Sequence, residues 1–214
     1  MVYGYEVISR ELKNRLESRL NKTAPENIIA PRLQIVGPLL DKYKYVHEDE
    51  NLSEMYINLL ASSMDKDTAQ KAHPSFVNVI SELSPDEARL LKVISREEIL
   101  PKLDLKIKVD SGKGYIHAYS NFTLLGEKAS LQYPDLTPTY LSNLERLNII
   151  NCGSGAIAVS YSNKENYKLL EESVLLKDLL KKYDDQEGQL ETSQGVINIT
   201  DFGKLFISAV INNT

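Results

Sequence analysis

The period at which apolar residues recur changes near the middle of this chain, and that change bounds what it can fold into. Leu52, Met55, Tyr56, Leu59, Leu60 and Ser63 fall at i, i+3, i+4, i+7, i+8 and i+11, one face of an amphipathic helix. Between Leu103 and Tyr119 the pattern alternates instead: Leu105, Ile107 and Val109, then Tyr115 and the run Ile116 to Tyr119. Period two belongs to strands, and Asp110-Ser111-Gly112-Lys113-Gly114 between the two runs predicts a β-hairpin with a glycine turn. Neither an all-helical nor an all-β fold accommodates both periods.

The helical pattern dominates the first half. Residues 6–21 predict a polar helix with Ile8, Leu12, Leu16 and Leu20 on one side. Pro25, Pro31 and Pro38 punctuate the apolar stretch Ile28 to Leu40, predicting one or two short helices kinked near Gly37-Pro38. His73-Pro74 opens a helix bearing Phe76, Val77, Ile80 and Leu83, and Ser84-Pro85-Asp86-Glu87 opens the next. In the second of these, Ser84 accepts a backbone N–H bond and Pro85 stands where no N–H is needed. Asp86 meets the positive helix end, and Glu87 reaches back to close a capping box.

Past the hairpin, Thr137 begins a helix carrying Tyr140, Leu141, Leu144 and Leu147, which ends over Asn148 to Asn151. A Gly153-Ser154-Gly155 turn into a strand Ala156 to Tyr161, a helix over 164–183, a polar mobile loop Asp184 to Gly195 and a short strand at Val196, Ile197 and Ile199 are expected next. Thr200-Asp201 caps a last helix with Phe202, Leu205, Phe206, Ala209 and Val210. The order helix, strand, strand, helix resembles a winged helix with a long helix inserted between its wing strands. The predicted architecture is a mostly helical α+β protein: a helical bundle over 1–95, a hairpin and connector over 96–135, and a small winged-helix-like part over 136–214.

Composition narrows function chiefly by exclusion. Net charge is −5, spread as 12 basic and 14 acidic groups in residues 1–95, 6 and 6 in 96–136, and 7 and 10 in 137–214. Nucleic-acid affinity rests on phosphate neutralisation, so DNA is disfavoured as a partner. The helix Thr137 to Leu147 would read DNA in a winged helix, and its one cation is Arg146, beside Glu145. Apolar stretches are too short for a membrane span, and the N-terminus lacks the basic and apolar regions of a signal peptide. The one cysteine, Cys152, excludes an internal disulfide, and a cytoplasmic protein is expected.

Chemistry-bearing motifs are sparse. Gly112-Lys113-Gly114 lacks the upstream glycine and the following Ser or Thr of a phosphate loop. His47, His73 and His117 have no metal-ligand spacing, so no metal and no cofactor is expected. Glu48-Asp49-Glu50 lacks the alternating ligands of a calcium loop and reads as a solvated turn. His73 with that acidic cluster is the only constellation from which a hydrolase or nuclease could be built, and a histidine before proline more simply fixes the start of a helix.

Several strings together carry a resemblance. Ile29-Ala30-Pro31 through Pro38-Leu39-Leu40, the run Glu54 to Asp65, His73-Pro74-Ser75-Phe76-Val77, Leu83-Ser84-Pro85-Asp86-Glu87-Ala88 and Ile199 to Phe206 resemble the Abi-alpha family, a bacterial domain family associated with abortive infection. The resemblance spans most of the chain from about residue 25. It implies a role in phage defence and supplies no catalytic residues. Relatives often carry a longer N-terminus, so it also implies a short or trimmed one here. Glu54, His73, Pro74, Ser84, Asp86 and Glu87 are the motif positions that a site would use, whether for docking two helices or for contacting a partner. The expected function is a non-enzymatic defence component that engages a protein partner or a second copy of itself, with a DNA-binding transcriptional regulator as the alternative.

Overall fold

A computed structural model describes residues 2–97, 100–108, 114–154, 164–183 and 189–211. Their contacts divide the chain into two compact units, residues 1–89 with 201–214, and residues 90–200. The expected third part, 136–214, is therefore shared between the units, its last helix belonging to the first.

The first unit is helical: α1 (Val2–Leu20), a 3-10 turn Pro25–Asn27, α2 (Leu33–Val46), α3 (Glu50–Met64), α4 (Ser75–Ser81), the start of α5 (Pro85–Ile94), and α10 (Asp201–Val210). Its centre is α3, which packs against α1, α2, α4 and α10. All six positions of the predicted stripe are buried, and so are Ile57 and Asn58 on the other side, because helices surround α3. Its buried polar groups are bonded: Tyr56 Oη donates to the Val77 carbonyl at 3.3 Å and Asn58 Nδ2 to the Val210 carbonyl at 3.0 Å. Phe76 stands edge-on to Phe202 and Phe206, ring centroids 5.5 and 5.2 Å apart, which ties α4 to α10.

Of the one or two short helices expected here, the structure forms one, α2, which runs through Pro38. Proline leaves the carbonyl of Gln34 without its helical partner. Gln34 is exposed, while Ile35, Leu39 and Tyr43, at i, i+4 and i+8, are buried and carry the helix on to Val46.

The second unit is built on an antiparallel sheet in the order β2-β1-β4-β3: β1 (Leu100–Lys108), β2 (Tyr115–Phe122), β3 (Ile150–Ser154) and β4 (Gln189–Ile199). Around it stand α6 (Leu125–Lys128), a 3-10 turn Pro134–Leu136, α7 (Thr137–Arg146), α8 (Lys164–Glu172) and α9 (Val174–Lys181). Leu103 and Leu105 of β1 and Phe122 of β2 form a core with Tyr167, Leu170 and Leu176 of α8 and α9.

Three local expectations are corrected in this unit. Residues 189–195, expected as a loop, are strand: β4 pairs with β1 from Leu100 opposite Ile197 to Lys108 opposite Gln189, so the partner's backbone holds a segment too polar to be recognised alone. Gly153 and Ser154 are strand β3 rather than turn, and Gly155 with the expected strand Ala156 to Tyr161 lies outside the described residues. The single helix expected over 164–183 is two, because Ser173 accepts a hydrogen bond from the Leu176 amide at 3.2 Å and begins α9 afresh. Thr200 leads into α10, and its hydroxyl donates to the Asn148 carbonyl at 2.5 Å.

Helix α7, strands β3 and β4 and helix α10 occur in that order along the chain, with α8 and α9 between the two strands. Here β4 also pairs along its length with β1, so the β3–β4 pair is the edge of a larger sheet.

Candidate functional site

The motif residues of the first unit are engaged with their own neighbours. His73 is exposed; its Nδ1 accepts from the Ser75 amide at 3.1 Å and lies 2.7 Å from Ser75 Oγ, and its ring packs 5.8 Å from that of Phe76. That is a helix cap, and Pro74 follows it as the residue flanking α4. Ser84 and Glu87 form the predicted capping box: the Ser84 amide donates to Glu87 Oε2 at 2.6 Å and the Glu87 amide to Ser84 Oγ at 3.3 Å. Asp86, 4% exposed, accepts from Arg89 at 2.6 Å. Glu54 accepts from the Arg19 guanidinium, linking α3 to α1. Asp49, from the acidic turn, caps α3 by accepting from the Leu52 amide at 2.8 Å, while Glu48 and Glu50 are exposed. Among the described residues no hydrogen bond or ion pair joins His73 to Glu48, Asp49 or Glu50.

In the second unit Arg146 folds back on its own helix, donating from Nε and Nη2 to Asn143 Oδ1 at 2.9 and 2.8 Å. Its neighbour Glu145 accepts from the Cys152 amide at 2.8 Å. Burial first, and then the Glu145 charge, push the Cys152 thiol up to about 12, so it is a neutral thiol at physiological pH and a poor nucleophile. Helix α7 itself packs against β2 and β3. Among the described residues no group of three or more His, Cys, Asp or Glu side chains is arranged to hold a metal ion.

Two features of this unit were not legible in the sequence. The first is a buried ion pair within β1: Lys102 Nζ donates to Asp104 Oδ1 and Oδ2 at 2.9 and 2.7 Å, and each residue is 2% exposed. Gly195 lies opposite Lys102 in β4, and a β-carbon there would stand 2.9 Å from Lys102 Cε and 2.5 Å from the Gly153 carbonyl, so glycine is what lets the lysine stem cross the strand. Asp104 also accepts from the Asn121 amide at 2.9 Å, at a residue whose φ of 60° suits asparagine.

The second is a cleft of about 300 Å³ among the end of β2, α6, the start of α7 and α9. Asn121, Phe122 and Thr137 are its buried floor, Tyr119 a half-buried wall, and Glu127, Asp135 and Asp178 exposed carboxylates at its mouth. Gly126 presses on that floor: a β-carbon there would fall 2.3 Å from Thr137 Oγ1.

These features define a mostly helical α+β protein whose motif residues make helix caps and ion pairs and whose open cleft is lined by three carboxylates. The profile of the family described as abortive infection alpha matches residues 4–210, and the chain belongs to that family. A solved structure of an uncharacterized protein from the hydrocarbon-degrading marine bacterium Alcanivorax borkumensis SK2 is similar at 16% identity and a TM-score of 0.43, over 69% of this chain and 96% of that one. No curated protein matches. Among the described residues no helix is long and apolar enough to cross a membrane.

Proposed function

We propose that this protein acts in the bacterial cytoplasm in defence against phage, through abortive infection, by binding a partner protein rather than by chemistry of its own. The observation that carries the reading is the family match over residues 4–210.

Two features support contact over catalysis. The motif side chains are engaged in caps and ion pairs, which makes them a framework that positions helices. Helix α2 meanwhile buries Ile35, Leu39 and Tyr43 and exposes Leu33 and Leu40, 84% and 44% accessible, with Gly37 between them and open space above its backbone. Positions 33, 37 and 40 fall at i, i+4 and i+7, the spacing of a helix face that meets another surface.

Phage plating on cells carrying the gene tests this. The wild-type gene lowers plating efficiency, the double variant Leu33→Glu with Leu40→Glu loses that protection while unfolding at the same denaturant midpoint, and His73→Ala keeps it. Protection lost in a folded His73→Ala protein and kept in the leucine variant would contradict the reading and point to chemistry at the histidine.

A further inference from the structure

The seam between α1 and α3 is held by polar groups, where bundle helices ordinarily meet through apolar stripes. Arg15, Arg19 and Lys22 recur at i, i+4 and i+7 on the side of α1 that meets α3. Arg15 Nη1 donates to Ser53 Oγ at 2.9 Å, and the Arg19 guanidinium pairs with Glu54. Among the described side chains of α1 only Leu12 is buried, while Ile8, Leu16 and Leu20 of its stripe are half-buried. Beyond the ion pair the seam opens into a cleft of about 230 Å³, with Arg19 and Lys22 on one side and Asn58, Ala61 and Ser62 on the other. Little apolar surface leaves water at this contact, and the attraction that remains is of the kind that solvent and salt weaken.

Closing the seam also has a cost. Tyr43 of α2 is 1% exposed, and among the described residues its hydroxyl, cut off from solvent, makes no hydrogen bond. It lies beside α1: burial first pushes its phenol up, the Arg15 charge pulls it back, and the Glu11 charge raises it again. The Arg15 guanidinium is held by Ser53 and, at 3.6 Å, by Glu11. A buried hydroxyl without a partner is costly, and water satisfies it once α1 moves away.

The remainder of the helical unit has its own support. Helices α2, α4 and α10 pack on α3 independently of α1. The chain that follows α1 is anchored separately: Ile28 bridges Asp65, the Ile29 amide donates to the Met64 carbonyl at 2.8 Å, and the Lys66 amide donates to the Asn27 carbonyl at 2.9 Å. Thr23 Oγ1 adds a bond to Asp65 at 3.2 Å, which leaves Asn21 and Lys22 as the link between a weakly held helix and a firmly held bundle.

We propose that α1 is a detachable arm, which swings off α3 about Asn21 and Lys22 while the rest of the helical unit stays folded, and which when closed covers a polar groove formed by Ser53, Glu54 and Asn58. The arm is a property of the fold and does not rest on the phage-defence reading.

Hydrogen exchange of the full chain, read by mass spectrometry with α3 as the internal reference, tests this. A lifted helix without tertiary packing is marginal in water, so its amides exchange whenever the arm opens. Amides of α1 are expected to exchange faster than those of α3. Adding about 1 M NaCl, or introducing Glu54→Gln or Arg19→Gln, speeds α1 exchange roughly threefold and leaves α3 protected, which also shows that each variant is folded. Tyr43→Phe slows α1 exchange by roughly fivefold, because the closed arm no longer buries an unbonded hydroxyl. A hydroxyl bonded in the closed state would give the opposite sign. Exchange of α1 at the α3 rate, an α1 rate that neither salt nor the two charge variants move, or faster α1 exchange in Tyr43→Phe overturns the proposal.

Discussion

Lys102 and Asp104 stand two residues apart on β1, so their side chains leave the same face of the strand, and both are nearly inaccessible to water. Taking two charges out of water is costly, and the pair persists because the lysine bonds both carboxylate oxygens while Asp104 holds the Asn121 amide as well. Removing one member strands the other. Lys102→Met is therefore expected to destabilise the protein by about 3–5 kcal/mol, read from urea unfolding with an unchanged denaturant slope, and adding Asp104→Asn is expected to recover part of that loss. A single-variant cost of less than about 1 kcal/mol would mean the pair is solvated in solution. In the sequence these residues alternate with leucines, and a charged residue at every second strand position reads as a solvated face. What buries them is the return of β4 with glycine at 195, a contact between residues more than ninety positions apart that no local pattern announces.

Legibility at the scale of elements followed the range of the forces that make them. The capping box at Ser84 to Glu87 was readable because all its bonds lie within four residues, and the structure makes both of them. Ser84→Ala removes the acceptor for the Glu87 amide and is expected to cost about 1 kcal/mol in thermal or urea unfolding, with Ser84→Asp restoring most of it; an unchanged midpoint for the alanine variant would show the cap to be redundant. Helix α3 was readable because its stripe repeats over four turns. By contrast, the polar residues 189–195 become strand only because β1 supplies seven successive partners, Lys102 to Lys108, and α2 passes Pro38 only because distant side chains bury Leu39 and Tyr43. The cleft was not legible for the same reason: Asn121, Thr137 and Asp178 come from three elements, and their convergence is a product of the fold.

At the scale of the whole molecule, the change of period seen in the sequence corresponds to the two units, one helical and one built on a sheet. Because the last helix returns to the first unit, residues 90–200 form an insertion between segments that belong together in the helical unit. The motifs at 29–40, 73–88 and 199–206 are thereby drawn together: apart from Ile199 and Thr200, those residues lie in the helical unit, whose caps and packing they supply. The central claim, that this family member protects a population by abortive infection, is tested most directly by infecting cells with and without the gene at low and at high multiplicity and counting both survivors and plaques. The account predicts fewer plaques and a surviving culture at low multiplicity, together with death of the infected cells at high multiplicity. Equal plaque numbers and equal survival with and without the gene, across a panel of phages and beside its native neighbouring genes, would contradict it.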